Sequence, residues 1–331
     1  MISEHEAMTR NNPTRRSILI AGLATLATPA VSRASPSTQQ MGGPIYGTTW
    51  RVILHASANT EPLVLRVREA LDRIDRLMSP WQPDSEISRF NRNRSDNWFA
   101  TTDETLTVCR CALEVHHASS GRFDPTVGPI VGAWGFGPIK GPAPVEGETI
   151  EIGDGGLRKI TPNTTIDLCG IAKGYALDQI TGLLLHHGVA DFVVDLGGEI
   201  LGHGMHPEGR RWRVAIEDPR PGYDGAVDAV VLDGRAIATS GNRINSFSFG
   251  SRTYSHIIDP ITGVPVDSAT ASVSVIANRG MDADAWATAL MAAGPDGPDL
   301  AERNHVDALF QVLDGPGLRP VATGNYSVHQ M

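Results

Sequence analysis

The pattern of apolar and polar positions predicts four long helices. Apolar side chains recur at helical spacing through residues 62–78 and would share one face: Leu63, Val67, Leu71, Ile74 and Met78. Three more helices are predicted over Asp103–Ala118, with Thr102 as the N-cap, over Ile171–His187 and over Ala283–Ala293. A glycine directly follows each of the last two segments and favours a helix end there.

Short runs of apolar and β-branched residues predict strands between these helices. They are Thr48–His55, Phe192–Leu196, Arg213–Ile216, Ala229–Leu232, Tyr254–Ile258, Ala271–Ile276 and Ala308–Leu313. Helices and strands interleave without the strict strand-helix-strand period of a doubly wound sheet. The pattern therefore favours an α+β fold.

The N-terminal segment has the pattern of an export signal. Arginines at positions 10, 15 and 16 precede the apolar run Ile18–Ala30, and the small-x-small sequence Ser32-Arg33-Ala34 follows it. The apolar run is too short to span a membrane, and Thr14–Leu19 resembles a twin-arginine signal. We expect residues 1–34 to be an export signal peptide, residues 35–45 to be a flexible lead-in, and the exported protein to be periplasmic.

Composition excludes some classes of function. The 331 residues carry a formal net charge of −9, which disfavours general binding to nucleic acid. Any phosphate site is therefore expected to be local. Three cysteines are too few for a disulfide framework, and Cys109 and Cys111 would point to different faces of the predicted helix.

Residues 166–178, with the sequence IDLCGIAKGYALD, predict an anion site. The segment runs from a strand-like stretch through a Cys-Gly turn into a helix whose first turn contains Lys173. Backbone N–H groups at a helix start attract an anion, and the helix dipole disfavours a lysine there without one. Asp178 is a candidate for ribose hydroxyls or for a surface salt bridge. The alternative for Lys173 is a solvated helix face.

Residues 282–290, with the sequence DADAWATAL, predict a cation site. Asp284 and Thr288 lie four positions apart, so their side chains share one face of a helix. Oxygen ligands at this spacing suit Mg²⁺, which binds few protein oxygens together with phosphates. The alternative is that an aspartate caps the helix and Thr288 bonds back to a carbonyl. Beside the Lys173 segment, the pair indicates a site for Mg²⁺ and a pyrophosphate.

Three loop positions are further candidates. His256 stands between a strand-like run and a Pro-Ile-Thr-Gly turn. A histidine at this position would either act as a general base for a hydroxyl or have a structural role. Trp81 directly follows the first helix and would stack on a planar ring or pack onto the core. Gly121–Thr126 is a glycine-framed loop of the kind that lines ligand sites.

Nine motifs, in order, resemble the ApbE family of FAD:protein FMN transferases. They are Gly47–Trp50, Met78–Asn91, Gly121–Thr126, Trp134–Pro138, Ile166–Asp178, Asp195–Glu199, Ala238–Asn242, Ser255–Gly263 and Ala283–Ala289. The resemblance implies an ApbE-like (T-fold-like) α+β fold, with mixed sheets, packed helices and two lobes around an FAD cleft. It implies that residues 46–331 form one flavin transferase domain. Such an enzyme uses Mg²⁺, cleaves FAD, attaches FMN through a phosphoester to a Ser or Thr of a partner protein, and releases AMP.

The resemblance also implies roles for individual residues. The metal ligands match Asp284, Thr288 and the backbone carbonyl of Gly170, and His256 matches a position proposed to activate the acceptor hydroxyl. The positions implied to contact FAD are Tyr46, Trp81, Arg122, Phe123, Asp124, Asp167, Lys173, Asp178, His256 and Ile257. Two of these depart from the family pattern, since Tyr46 replaces the usual Met and Trp81 replaces a common Tyr. Tryptophan keeps a stacking face but loses the hydroxyl.

The partner implied by the resemblance is a protein with a Ser/Thr-Gly-Ala-Thr-type motif. Twin-arginine members are associated with membrane-bound respiratory electron-transport proteins, including accessory proteins of nitrous-oxide reduction. Two other functions stay open at this point: an FAD pyrophosphatase that yields FMN and AMP, and a non-catalytic FAD carrier. The Asp284 and Thr288 pair argues against the carrier, which needs no metal for phosphoryl transfer.

Overall fold

The computed structural model describes residues 37–144, 147, 149–242, 246–249 and 252–331. The predicted export signal lies outside these residues. None of the helices within the described ranges has the length and apolar composition needed to cross a membrane. The α-helices are α1 Glu61–Met78, α2 Glu86–Arg92, α3 Asp103–Ala118, α4 Gly128–Ala133, α5 Ala172–His186, α6 Gly280–Ala292 and α7 Gly297–Arg303, with 3₁₀ turns at Gly294–Asp296 and Tyr326–Val328.

An eight-stranded antiparallel sheet organises the fold. The strands in chain order are β1 Thr38–Ile45, β2 Thr48–His55, β3 Phe99–Ala100, β4 Ile150–Gly153, β5 Gly156–Lys159, β6 Phe192–Leu196, β7 Glu199–His203, β8 Met205–His206, β9 Arg210–Glu217, β10 Ala226–Leu232, β11 Arg235–Gly241, β12 Ser246–Phe249, β13 Arg252–Ser255, β14 Ile258–Asp259, β15 Val264–Pro265, β16 Thr270–Ala277, β17 Asp307–Asp314 and β18 Gly317–Thr323. The large sheet has the order β1-β2-β6-β7-β11-β16-β17-β18, and each neighbouring pair is antiparallel. Smaller sheets are β10-β9-β8, β3-β5-β4 and the hairpins β12-β13 and β14-β15.

The large sheet is buried on both faces. Alternate residues of β2 point to opposite sides, so Val52 belongs to the core shared with α1, α5 and α6, and Ile53 belongs to the opposite core. On that opposite side, β9 and β10 contribute the buried Trp212 and Leu232. The sheet is therefore a central layer between helices and a small second sheet, an α+β arrangement as the sequence predicts.

The prediction of a flexible lead-in at residues 35–45 is wrong from Thr38 onward. Strand β1 pairs with β2 in continuous register from Thr38 opposite His55 to Ile45 opposite Thr48. Tyr46 and Gly47 join the two strands with φ values of +49° and +77°, as a type I′ hairpin turn requires. The strand is hard to predict because it lies at the sheet edge and carries polar residues and glycines.

The four long helices are confirmed, with shifts of at most three residues at their ends. Helix α3 has the predicted cap, because Thr102 Oγ1 accepts a hydrogen bond from the Thr105 N–H. The single strand predicted over Tyr254–Ile258 is wrong. Strand β13 ends at Ser255 and β14 begins at Ile258, so His256 and Ile257 occupy a break between two hairpins. That break places them in a loop rather than in a ladder.

Helices α5 and α6 cross in direct backbone contact at two glycines. A Cβ atom on Gly174 would lie 2.2 Å from the Gly280 carbonyl oxygen, and one on Gly280 would lie 2.5 Å from the Gly174 carbonyl oxygen. Since both obstacles are backbone atoms, neither can move aside alone. The crossing sets how closely the first turns of the two helices approach each other.

We expect Gly174→Ala to lower the free energy of unfolding by about 2 kcal/mol, because the added methyl group forces the helices apart. Gly182→Ala in the same helix is the matched control. A Cβ there meets nothing within 4 Å, so this change should raise stability by about 0.5–1 kcal/mol. Urea unfolding of both variants checks the prediction. Equal changes in the free energy of unfolding for the two variants would contradict a tight backbone contact between Gly174 and Gly280.

Candidate functional site

The segment before α5 is held in place by one asparagine and one carboxylate. Asn91 donates to the Ile166 carbonyl at 2.8 Å and accepts from the Ile166 N–H at 2.7 Å. Asp167 then turns the chain, since its N–H donates to the Pro125 carbonyl at 2.7 Å and its Oδ1 accepts from the Cys169 N–H at 3.0 Å. Asp167, predicted as an FAD contact, therefore also shapes the turn that leads to Gly170.

The three predicted metal-ligand residues come together at this turn. The Thr288 hydroxyl lies 3.5 Å from the Gly170 carbonyl oxygen. Asp284, one helical turn before Thr288 on α6, is only 4% exposed, and its Oδ2 accepts the Gly174 N–H at 2.9 Å. A Cβ on Gly170 would lie 3.1 Å from the Phe123 ring and 3.2 Å from Thr288. This close packing favours glycine at position 170.

The donor set fits a hard cation. It consists of a carbonyl, a hydroxyl and one carboxylate, all oxygen, and leaves further positions for phosphate oxygens or water, as Mg²⁺ requires. Within the described ranges, no group of three or more His, Cys, Asp and Glu side chains is arranged to hold a metal. The ligand assignment of Gly170, Asp284 and Thr288 stays a prediction that the geometry supports.

Lys173 is not on a solvated helix face. Its ammonium pairs with a carboxylate oxygen of Glu199, the first residue of β7, and Glu199 is 3% exposed. Burial lowers the pKa of Lys173, but Glu199 and Asp284 outweigh burial and leave this pKa raised, so the ammonium stays charged near neutral pH. Burial also raises the pKa of the carboxyl groups of Glu199 and Asp284, while Lys173 opposes both shifts. One partly exposed cation thus interacts with two buried acids.

Arg122 ties two loops together. Its guanidinium lies 3.1 Å from Asp259 Oδ1 and 3.2 Å from Asp296 Oδ2. Asp259 is three residues beyond His256, and Phe123 packs on Gly170. The 122–124 loop therefore connects the Asp284 group with the segment that carries His256. As a contact to FAD, Arg122 stays a prediction.

Phe123 and Asp124 are fixed by the surrounding backbone and side chains. The Phe123 carbonyl lies 2.8 Å from His116 Nδ1, and its N–H donates to Ser119 Oγ at 3.0 Å. Asp124 Oδ1 accepts from both the N–H and the hydroxyl of Thr126 at 2.7 Å. These hydrogen bonds define the conformation of the loop without a ligand, as expected for a preformed binding surface.

Asp178 caps a helix in this structure. Its two carboxylate oxygens accept the N–H groups of Gly280 and Met281, the first residues of α6. Burial raises the pKa of Asp178 to about 6, and these backbone hydrogen bonds oppose the rise. This capping explains why α6 begins three residues before the predicted start. The surface salt bridge considered from the sequence is wrong, and a contact to ribose stays a prediction.

The remaining predicted residues are His256, Ile257, Trp81 and Tyr46. His256 lies edge-on to Phe136, with ring centroids 6.4 Å apart, and Ile257 beside it is buried. Trp81 is 60% exposed just beyond α1, so its ring offers a free stacking face. The Tyr46 hydroxyl donates to the Leu71 carbonyl at 2.6 Å, and burial raises its pKa. Tyr46 is thus held by α1, and its contact with a flavin stays a prediction.

Glu199 is the residue of this region that the sequence reasoning did not single out. Its only signal was its place at the end of the motif Asp195–Glu199. An isolated acid after two glycines has no periodicity that would mark it as buried. Pairing with Lys173 depends on the packing of β7 against α5, which no local pattern shows.

Comparisons with known proteins place this geometry in context. The profile of the ApbE family matches residues 46–310. An FAD:protein FMN transferase of Klebsiella pneumoniae (strain 342) is 33% identical over 323 residues, which cover 91% of each chain. The FAD:protein FMN transferase of Vibrio cholerae (classical Ogawa strain) is 34% identical over 303 residues, covering 86% of this chain and 91% of the relative.

Solved structures share the fold. The flavin transferase ApbE from Vibrio cholerae superposes with a TM-score of 0.79 at 33% identity, covering 88% of this chain and 99% of that one. The apo form of the Pseudomonas stutzeri flavinyl transferase ApbE gives a TM-score of 0.79 at 32% identity, with 88% and 96% covered. The α+β fold expected from the sequence is confirmed by these structures.

Proposed function

The chain belongs to the ApbE family and is a transferase of that family, and on this premise we propose how it acts. It is an FAD:protein FMN transferase that links FMN through a phosphoester to a Ser or Thr of a partner protein and releases AMP. The observation that carries the proposal is the meeting of Gly170, Asp284 and Thr288 beside the charged Lys173. This is a set of groups suited to a metal-bound pyrophosphate.

Each group has a chemical task in this proposal. The Gly170 carbonyl, Asp284 and Thr288 would hold Mg²⁺, which when bound neutralises charge on the pyrophosphate. Lys173, in the first turn of α5, binds the phosphate oxygens and keeps them oriented. The burial of Glu199 and Asp284 strengthens the electrostatic interactions of this group.

The transfer step needs a base for the acceptor hydroxyl. His256 accepts the hydroxyl proton as the hydroxyl oxygen bonds to the FMN phosphorus. The bond between that phosphorus and the bridging oxygen breaks in line, and AMP leaves with the bridging oxygen. The break between β13 and β14 supports this role, because it gives His256 a loop position linked through Arg122 to the metal-ligand residues.

FAD recognition would use the surfaces around this centre. Trp81 and Tyr46 flank α1, and Ile257 lies beside His256. Arg122, Phe123, Asp124 and Asp167 form or support the hydrogen-bonded loops beside this centre. Asp178 would contact the ribose hydroxyls from its position at the start of α6.

The acceptor would carry a Ser/Thr-Gly-Ala-Thr-type motif on a membrane-bound respiratory protein, and twin-arginine export would place the enzyme in the periplasm.

The dependence of AMP release on the acceptor tests the proposal. With FAD and Mg²⁺, we expect slow AMP release alone and a marked rise when a protein with a Ser-Gly-Ala-Thr site is added, with one AMP per modified acceptor. Equal AMP release without acceptor would instead show a pyrophosphatase. Intact FAD in both mixtures would show a carrier.

A further inference from the structure

We infer that Glu199 is a positioning residue that holds the Lys173 ammonium away from Asp284. This inference rests on the proposed function. It assigns Glu199 a task in the reaction: to keep the Asp284 carboxylate available for a divalent cation and the Lys173 ammonium available for phosphate.

The first support is the competition for Lys173. Its ammonium is attracted by two buried acids, Glu199 from β7 and Asp284 from α6. The ion pair is formed with Glu199, whereas Asp284 accepts the Gly174 N–H instead. Without the Glu199 charge, the Asp284 carboxylate still attracts the Lys173 ammonium, so the flexible lysine would turn toward Asp284.

The second support is the way Glu199 is built into the fold. Gly197 and Gly198 have φ values of +66° and +107°, and this tight turn sets Glu199 at the first position of β7. The other carboxylate oxygen of Glu199, Oε2, is buried and forms no hydrogen bond with the described residues. Structural buried carboxylates are normally satisfied, so an open acceptor beside a charged pair indicates a working site.

The inference predicts a specific effect of Glu199→Gln. The amide keeps the size of the side chain but cannot hold the lysine as an ion pair, so Lys173 pairs with Asp284 and competes with the cation. We expect Mg²⁺ to bind roughly tenfold more weakly, in the range for groups that support a metal ligand.

The measurement is a double-mutant cycle on the full-length protein, with Mg²⁺ alone as the probe in calorimetry. Glu199→Gln should weaken Mg²⁺ binding, and Lys173→Met should not. In the Lys173→Met background, Glu199→Gln should have less than a twofold effect, because the competing ammonium is gone. The melting temperature of the single variant Glu199→Gln should stay near that of the wild type. In this variant the Lys173 side chain, which is 34% exposed, keeps Asp284 as a counter-charge.

Asp195→Asn is the matched control on the same hairpin. Asp195 pairs with Arg51 at 2.8 Å, and its Oδ1 accepts the Gly198 N–H at 3.1 Å. We expect this change to lower the melting temperature and leave the affinity for Mg²⁺ unchanged.

Three results would overturn the inference. They are unchanged Mg²⁺ affinity in Glu199→Gln, an equal loss with and without Lys173, or a wild type that does not bind Mg²⁺. A wild type that binds Mg²⁺ but does not transfer FMN would refute the proposed function alone, because the cycle is measured in metal binding rather than turnover.

Discussion

Asp284→Asn is expected to lower kcat for flavin transfer by roughly 10²–10³-fold, the range for loss of one electrostatic group at a reacting centre. The amide oxygen can still accept the Gly174 N–H, so the contact between α5 and α6 persists. Burial raises the pKa of the native carboxyl, so a neutral amide should not destabilise the fold. Turnover with increasing Mg²⁺, together with the melting temperature, measures both effects.

Asp282→Asn is the control for this prediction. Asp282 lies on the same helix, two residues before Asp284, and pairs with the partly exposed Arg279 at 2.6 Å. It should therefore retain near-native turnover. Full Mg²⁺-dependent activity in Asp284→Asn, or an equal loss in Asp282→Asn, would refute the metal assignment.

His256→Ala is expected to lower transfer by about 10²–10⁴-fold, the contribution typical of a positioned general base. The affinity for FAD should change little, because the pyrophosphate contact assigned to Lys173 remains. Single-turnover transfer and FAD titration separate the chemical step from binding.

His203→Ala is the matched control for the loss of an imidazole. His203 lies on β7, where its ring stacks on Phe192 with centroids 5.6 Å apart and its Nδ1 lies 2.7 Å from the Ala190 carbonyl. This variant should transfer FMN normally once folded. If His256→Ala no longer binds FAD or no longer folds, His256 is structural rather than the base.

The sequence predicts much of the helical layer because helix periodicity is local. The apolar positions of α1 lie on the face that packs into the core, and Thr102 caps α3 as expected. Strand β1 escaped prediction because its stability comes from pairing with β2 rather than from its own composition. The break at His256 was likewise invisible, because apolar residues continue on both sides of it.

The candidate site could be predicted only in part, since its long-range contacts join distant segments. The spacing of Asp284 and Thr288 marks a helix face, and Lys173 marks a helix start, so both were open to sequence reasoning. The capping of α6 by Asp178 and the pairing of Glu199 with Lys173 cross 102 and 26 positions of sequence, respectively. Such contacts follow from the packing of α5 against α6 and β7.

The intact mass of an acceptor protein tests the central claim most directly. The enzyme is incubated with FAD, Mg²⁺ and an acceptor that carries a Ser-Gly-Ala-Thr site, and a parallel mixture contains a chelator. We predict that the acceptor gains the mass of one FMN phosphoester, that the gain disappears with the chelator, and that serine-to-alanine substitution in the acceptor prevents it. An acceptor of unchanged mass while FAD is split into FMN and AMP would contradict the account.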